Sequence, residues 1–218
     1  MNNDLLYQIA LTLVPNIGDV HAKALVNLYG SAESVFKAKK KDLENIEGIG
    51  IVRAKSIKGF EDFSGAENEI TFIEKYKITP LFITDAAYPK RLLNCYDAPA
   101  MLYYRGNADI NASKIIAVVG TRNNSDHGKN VCEKLIQELN AQDILIVSGL
   151  AFGIDTIAHK AALKNNLQTV GVLAHGMDKI YPAQNKTLAK QMATQGGCSQ
   201  NSSVPRILTN RISLNAIG

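Results

Sequence analysis

Residues 114–176 alternate short apolar segments with helical patterns, and this alternation limits the folds open to the chain more than any other feature. The apolar segments are rich in Val and Ile, as buried strands are. Strands separated by helical patterns of this length imply right-handed crossovers and a parallel, doubly wound sheet. The predicted strands lie at 78–84, 100–106, 114–120, 144–149 and 169–176, and the helices between the last three lie at 126–140 and 155–165.

The N-terminal part lacks this alternation and has a helical pattern with an internal duplication. LVPNIGDVHAKALVNLYG (13–30) and LENIEGIGIVRAKSIKG (43–59) each place a glycine turn before a small-residue helix start. A linker helix, SGAENEITFIEKYK, then leads into the first predicted strand. We therefore predict a small all-α domain at 1–63 and an α/β domain at 64–197.

The bulk composition is that of a globular protein. With 218 residues and 46% hydrophobic content, the chain can bury a sizeable core. No apolar run approaches the ~20 residues of a membrane helix and the start lacks a signal peptide, so we expect a cytoplasmic protein without membrane contact. The three cysteines are single and far apart, which predicts neither disulfides nor a metal site. A net charge of +4 permits a polyanionic partner without requiring one.

Three successive predicted strands end in glycine-bearing turns, VVGTRNNSDHG, VSGLAFGID and LAHGMDKIYPAQN. Because parallel strands place their carboxyl ends at one edge, these turns should open on a single crevice. Glycines let a ligand approach the backbone, and the amides that begin the helix after Gly153 favour an anion such as phosphate. Arg122 in the first turn adds positive charge. The alternative is that the glycines serve only the tight turns, since neither a dinucleotide-binding nor a P-loop motif occurs.

Acid–base catalysis is the second possibility at this crevice. Asp155 and His159 are four residues apart on one predicted helix, and His175 ends the next strand. Alternatively, Asp155 caps the helix and His159 bonds a neighbouring loop. No nucleophile with an evident base and no metal-ligand spacing occurs, so we expect no catalytic residue and no cofactor.

Together with the duplicated N-terminus, these turns resemble those of the DNA-processing protein A family (DprA, also called Smf). The resemblance covers the chain to about Gly197 and implies a Rossmann-like, doubly wound parallel sheet, incomplete at its C-terminus, preceded by a helix-hairpin-helix (SAM-like) domain. The segments that carry it are DAAYPKRLLNCYDAPAMLYYRGN (85–107), IAVVGTRNNSDHG (116–128), VSGLAFGIDTIAH (147–159) and GVLAHGMDKIYPAQNKTL (171–188).

The resemblance implies a cytoplasmic bacterial protein that binds single-stranded DNA without sequence preference. It also implies protection of incoming strands during natural transformation, loading of the RecA recombinase, a homodimer and no catalytic step. Many members have Lys or Arg where this chain has Phe152, which is then either a stacking surface or a core residue. The implied DNA-binding residues are Gly120, Thr121, Arg122, Asn123, Ser148, Gly149, Phe152, Gly153 and Gly176.

The N-terminal duplication is similar to paired helix-hairpin-helix units. In such units the amides of turns like Ile17-Gly18 and Ile49-Gly50 contact backbone phosphate. Residues 1–63 contain eight Lys or Arg and eight Asp or Glu, so charge does not favour DNA binding. A protein-contact or spacer role for this domain is at least as compatible with the sequence.

Residues 198–218 depart from the family, which continues for a long stretch at this point. The segment has no periodicity and no acidic residue, and regrouping its codons by one base permits LLTEF after Gly197 and DKQNFPKRNR near the end, both similar to the family's continuation. We therefore interpret 198–218 as an out-of-frame tail and expect impaired DNA binding and dimer formation. The rival function is a phosphoribohydrolase-like hydrolase of nucleoside monophosphates on a related fold.

Overall fold

The computed structural model describes residues 3–177 and 180–201, which form an α/β protein. Within them the chain divides into two compact units, one up to Leu102 and one from Tyr103 onward. None of the described helices is long and apolar enough to cross a bilayer. The helices are α1 (Asn3–Leu13), α2 (Asp19–Tyr29), α3 (Ala32–Lys37), α4 (Lys40–Glu44), α5 (Gly50–Lys58), α6 (Ser64–Tyr76), α7 (Asp126–Leu139), α8 (Ile154–Lys164) and α9 (Lys186–Gln195). The strands are β1 (Thr79–Phe82), β2 (Met101–Gly106), β3 (Ile115–Ala117), β4 (Leu145–Gly149), β5 (Thr169–Leu173) and β6 (Gly197–Asn201).

The first unit contains the two predicted helix-turn-helix pairs. The pairs are α1 with α2 and α4 with α5, and α3 links them. Gly30 ends α2 in the left-handed region with φ +81°, a conformation that favours glycine. Helix α6 packs against α1, and four aromatic rings fill the space beside them. These rings belong to Tyr7, Phe36, Phe60 and Phe63.

This first unit extends beyond the boundary that we predict at residue 63. The carboxylate of Asp19 accepts a hydrogen bond of 2.9 Å from the Ala100 amide. The buried Tyr88 donates its hydroxyl to the Pro99 carbonyl at 2.6 Å. The first of these bonds joins α2 to a residue 81 positions later and the second orders the segment itself, so the segment up to Leu102 belongs with the helices.

The second unit is built on four parallel strands. The whole sheet has the order β1-β2-β6-β5-β4-β3, and β3, β4, β5 and β6 pair in parallel. Helices α7, α8 and α9 are the crossovers, with α7 packed on α8 and α8 on α9. Because the strand order proceeds in one direction from β3 to β6, right-handed crossovers place these three helices on the same face. The order reverses only next to β2, so the three glycine turns follow consecutive strands at one edge rather than a reversal point.

An out-of-frame tail at 198–218 implies that the sheet ends after the third crossover helix. The structure shows a further strand at this point. Gly197–Asn201 instead form β6, in parallel register with β5. Strand pairing uses backbone groups, so a segment with little apolar content can fill this place when its inward side chains are held. Cys198 and Gln200 are buried, and the Gln200 side chain accepts from the Met177 amide at 2.7 Å. The rest of the predicted tail, 202–218, lies outside the described residues.

Candidate nucleic-acid interface

The first two glycine turns, at 118–124 and 149–153, are fastened directly to each other. The Ile154 amide, at the start of α8, donates to the Thr121 carbonyl at 3.1 Å. Gly153 has φ +80°, and a Cβ there would lie 2.1 Å from the Thr121 carbonyl oxygen and 2.6 Å from that of Arg122. Only glycine fits such an approach. The sequence GTR in one turn and FG in the other therefore bring the Arg122 backbone against the start of α8.

Three consecutive carbonyl groups of the second turn are held by side chains of the protein interior. The donors come from α8 and from the residue before α9, and His159 and Asn185 are 0% and 4% exposed. Each carbonyl oxygen is thereby turned away from solvent, because its partner is buried or partly buried. The three bonds are Gly149 O with His159 Nε2 (2.6 Å), Leu150 O with Asn185 Nδ2 (2.9 Å) and Ala151 O with Thr156 Oγ1 (2.7 Å).

The amides of this turn are left facing the other way. In a planar trans peptide the N–H points opposite to the C=O, so the inward Ala151 carbonyl directs the Phe152 N–H outward. Neither Phe152 N–H nor Gly153 N–H has an acceptor among the described residues. Neighbouring amides presented in this way form an anion-binding concavity. This arrangement is suited to a phosphate oxygen.

Arg122 supplies the positive charge beside these amides. Its side chain is exposed and lines a cavity of about 240 Å³ next to the second turn. Across the described ranges, Arg122 makes no ion pair or side-chain hydrogen bond, so its guanidinium is free for a ligand. Guanidinium groups bind phosphate through paired hydrogen bonds.

The cavity has apolar walls with a few polar groups. Phe152 is 43% exposed and lines it, which decides the open question about this residue in favour of an accessible ring rather than a core one. Val172 and Tyr181 are also exposed there, at 51% and 70%. An exposed aromatic ring beside a cation is a typical stacking surface for a base. The remaining lining residues are Gly149, Leu150, Ala151, Asp155, Leu173, Ala174 and His175.

The structure separates the predicted site residues into two groups. Gly120, Thr121, Arg122 and Asn123 lie exposed on the first turn. On the second turn Phe152 is exposed, and Gly149 and Gly153 are partly buried. Ser148 is buried and donates its hydroxyl to the Val118 carbonyl at 2.6 Å, which ties β4 to the end of β3. Gly176 is buried and does not line the cavity. Both residues are buried, and their predicted contact with DNA stays a prediction.

Asn185 and Thr156 are the residues that the sequence did not reveal. Asn185, the last residue of the third glycine-bearing turn, also donates to the Thr156 hydroxyl at 2.8 Å. A single side-chain amide therefore joins the third turn to the second. The available signal was an Asn directly before a helix, which ordinarily predicts only a cap. Its partners are about thirty residues away, and no local pattern identifies them.

The structure places His159, a member of the possible acid–base pair, in the interior of the protein. His159 is fully buried, and desolvation lowers its pKa to about 4. The neutral ring donates from Nε2 to Gly149 O, so Nδ1 accepts from the Thr169 hydroxyl at 2.7 Å. With both nitrogens engaged, His159 holds a neighbouring loop, as the alternative interpretation stated. Asp155, in the first turn of α8, accepts at Oδ2 from the Ala151 amide at 3.4 Å, in the loop before the helix, and makes no cap hydrogen bond to the amides of α8.

A metal centre is not assembled in the described ranges, where no three His, Cys, Asp or Glu side chains converge. The three cysteines are free, with Cys95 exposed and Cys132 and Cys198 buried. Burial raises the pKa of the Cys198 thiol to about 11, which keeps it protonated.

Comparison with known proteins places this geometry in a family. Residues 79–205 match the sequence profile of DNA recombination-mediator protein A. The chain is similar to Protein Smf of Synechocystis sp., with 35% identity over 205 residues that cover 89% of this chain and 50% of that protein. It is 37% identical over 174 residues to the DNA processing protein DprA of Streptococcus pneumoniae, covering 71% of this chain and 61% of that one.

A solved structure agrees with these sequence matches. The X-ray structure of DNA processing protein A from Streptococcus pneumoniae superimposes with a TM-score of 0.64 at 30% identity, covering 92% of this chain and 67% of that chain. This likeness confirms the predicted Rossmann-like fold. The chain spans about half the length of the Synechocystis relative and somewhat more of the pneumococcal one. The matched region covers more than half of the 218 residues, and the chain belongs to the DNA recombination-mediator protein A (DprA/Smf) family.

Proposed function

We propose that this chain binds single-stranded DNA at the edge formed by the first two glycine turns. A backbone phosphate would accept hydrogen bonds from the Phe152 and Gly153 amides and from the Arg122 guanidinium. The observation that carries the proposal is the capture of three successive carbonyls by His159, Asn185 and Thr156. That capture leaves donors rather than acceptors at the rim, which is the polarity that a polyanion requires.

The cavity supports single strands over duplexes. Its volume of about 240 Å³ is below the roughly 300–1,000 Å³ of pockets for drug-sized ligands, so it takes one ring system. Phe152 offers a ring face at its wall, and every unstacked base can use such a face regardless of sequence. In a duplex the base faces are covered by their neighbours. Stacking on Phe152 therefore selects a strand with unpaired bases.

The phosphate and the base take different places at this site. The carboxylate of Asp155 lines the cavity and would repel a phosphate placed inside it. The amides and Arg122 attract phosphate at the rim. A strand bound in this way keeps its backbone on the turns and directs a base towards the cavity.

The affinity of this chain is expected to be weak. Of the described cavity-lining residues, Arg122 alone is a lysine or arginine, so few counterions are released on binding. We propose a cytoplasmic, non-enzymatic role in DNA uptake, in which the protein protects incoming strands, loads RecA and forms a homodimer. These further roles rest on the family resemblance.

Fluorescence anisotropy with labelled oligothymidylate tests the proposal. Arg122→Ala removes one phosphate contact, so we expect about tenfold weaker binding. The slope of the logarithm of the binding constant against the logarithm of the salt concentration should become about 0.7 less steep. The matched control is Lys160→Ala, which removes an exposed cation of α8 that lines a separate cleft with Glu133 and Gln137. We expect it to change affinity less than twofold.

Equal losses for the two variants would contradict a site at the rim and leave only general charge attraction. Release of ribose 5-phosphate and free base from nucleoside monophosphates by the purified chain would instead support the rival hydrolase. The full 218-residue protein serves in both assays.

A further inference from the structure

Asp155 places a carboxylate in the wall of the cavity. Its negative charge does not contribute to phosphate binding at the proposed DNA site. The residue is 8% exposed and lines the cavity. Oδ2 accepts from the Ala151 amide at a long 3.4 Å, while Oδ1 has no partner among residues 3–177 and 180–201. A buried carboxylate oxygen without a donor is costly, and a ligand that supplies a donor relieves that cost.

The surroundings of Asp155 hold it in place. It lies in the first turn of α8, where the helix dipole stabilises negative charge. A Cβ on Gly149 would lie 2.4 Å from Oδ2, so glycine at this position leaves the room that the carboxylate occupies. Arg122 lines the same cavity. The acceptor is thus preorganised in a partly apolar pocket that takes one ring system.

We propose that Asp155 makes this cavity read the hydrogen-bond donors of one base, with guanine preferred. The inference rests on the proposed single-strand site and adds a base preference to it. Guanine presents an imino and an amino N–H side by side on one edge, which match the two oxygens of a carboxylate. Hydrogen bonds to an ionised group are about twice as strong as neutral ones, and bidentate pairing fixes the geometry.

The other bases satisfy the carboxylate less well. Cytosine and adenine each present an amino group beside a ring acceptor. Thymine has a single N–H between two carbonyl oxygens, and a carboxylate repels both of them. The expected order of affinity is guanine first, then cytosine and adenine, with thymine last. The preference acts on one nucleotide, while the phosphate contacts at the rim accept any sequence.

The experiment compares oligothymidylates that carry one central dG, dC, dA or dT, by competition against a labelled oligothymidylate. We expect the dG oligonucleotide to bind about tenfold more tightly than the all-thymine strand. In Asp155→Asn, the side-chain oxygen can keep the Ala151 amide while the new NH2 faces the cavity. That variant is expected to lose the dG preference and to bind the all-thymine strand as well as or better than the unaltered protein.

Asp143→Asn is the matched control, since it neutralises an exposed carboxylate of the same unit at φ +51°, where Asn is well tolerated. It should keep the dG preference. Circular dichroism confirms that each variant is folded before binding is compared. Equal binding of all four strands by the unaltered protein overturns the base preference and leaves the single-strand site standing. A dG preference that persists in Asp155→Asn overturns the role of Asp155, and absence of binding to every strand overturns the proposed function as well.

Discussion

The two units each contain a glycine turn followed by a helix and accompanied by an arginine, but they use the arginine differently. In the first unit Arg53 donates to the Asn16 carbonyl at 3.0 Å and to the Gly48 carbonyl at 3.1 Å. In the second unit the carbonyls are taken by the neutral side chains of His159, Asn185 and Thr156. Arg53 is therefore committed to its own backbone, whereas the second unit leaves its arginine free.

The glycines of the two turns also have different roles. Gly50 has φ +60°, and a Cβ there would meet no atom within 4 Å, so the residue serves backbone conformation alone. Gly153 has φ +80° and would place a Cβ 2.1 Å from the Thr121 carbonyl oxygen. On the proposed function, the second turn binds a ligand because close approach brings two loops together and uncharged groups hold its carbonyls. The following variants test that distinction.

Gly153→Ala is expected to have the largest effect. The new methyl group adds a positive-φ cost of about 1–2 kcal/mol to a clash with two carbonyl oxygens, so we expect the free energy of unfolding to fall by about 3 kcal/mol or more. Single-strand binding should be lost with it, because the first turn must move. Urea denaturation and anisotropy measure the two effects. Gly128→Ala in α7 is the control, since its Cβ would lie 3.6 Å from the Ser125 hydroxyl, an ordinary contact, and it should be neutral or stabilising.

His159 predicts a pH dependence of stability. Burial lowers its folded pKa from 6.5 to about 4, so below pH 6.5 the unfolded chain binds a proton that the folded chain does not. Stability from this residue is complete above pH 6.5 and is lost as the pH falls towards 4, by on the order of 3 kcal/mol. His159→Gln should flatten urea-denaturation profiles over this window, while His127→Gln, at an exposed position, should not. An unchanged slope in His159→Gln would show that other groups cause the acid sensitivity.

Much of the fold follows from the sequence because the underlying signals are local. The strand and helix patterns after residue 114 coincide with β3 to β5, α7 and α8 within a few residues, and the duplicated turns lie between α1 and α2 and between α4 and α5. Each of these depends on periodicity or on a glycine near the element's end. The exception is β6, whose two inward side chains give no periodic pattern. Its place is fixed by the gap between β5 and β2.

The site was predictable only on its outer surface. Arg122 and the glycines could be predicted because glycine-rich turns at the ends of strands can be identified from the sequence. Asn185 gave only the signal of a helix cap, since its hydrogen bond to the Leu150 carbonyl spans 35 positions. Ser148 and Gly176 belong to the same motifs as the exposed residues, yet strand alternation turns Ser148 inward. Spacing alone does not distinguish the residues that touch a ligand from those that hold them.

Asn185→Ala is expected to have an effect of intermediate size, and its comparison with Asn165→Ala separates a loss of stability from a change in the geometry of the site. Loss of the side-chain amide leaves the buried Leu150 carbonyl unpaired, so we expect the free energy of unfolding to fall by about 2 kcal/mol. Single-strand affinity should fall severalfold, because that carbonyl is no longer held away from the rim. Asn165→Ala removes a similar amide that donates to the Ala161 carbonyl at 2.8 Å at the end of α8, remote from the turns. It should lower stability while leaving affinity intact, and a matching loss of affinity would indicate that global stability alone controls binding.

Gly50→Ala is expected to have the smallest effect. It tests the glycine turn of the first unit, which we expect not to bind DNA. Its Cβ has open space, so only the positive φ is penalised and the free energy of unfolding should fall by about 1 kcal/mol. Anisotropy with oligothymidylate should change less than twofold, since Arg53 remains bound to the Asn16 and Gly48 carbonyls. If binding instead weakens as much as in Arg122→Ala, the hairpin turn contacts DNA through its amides. The commitment of an arginine to its own backbone would then be no obstacle to phosphate binding.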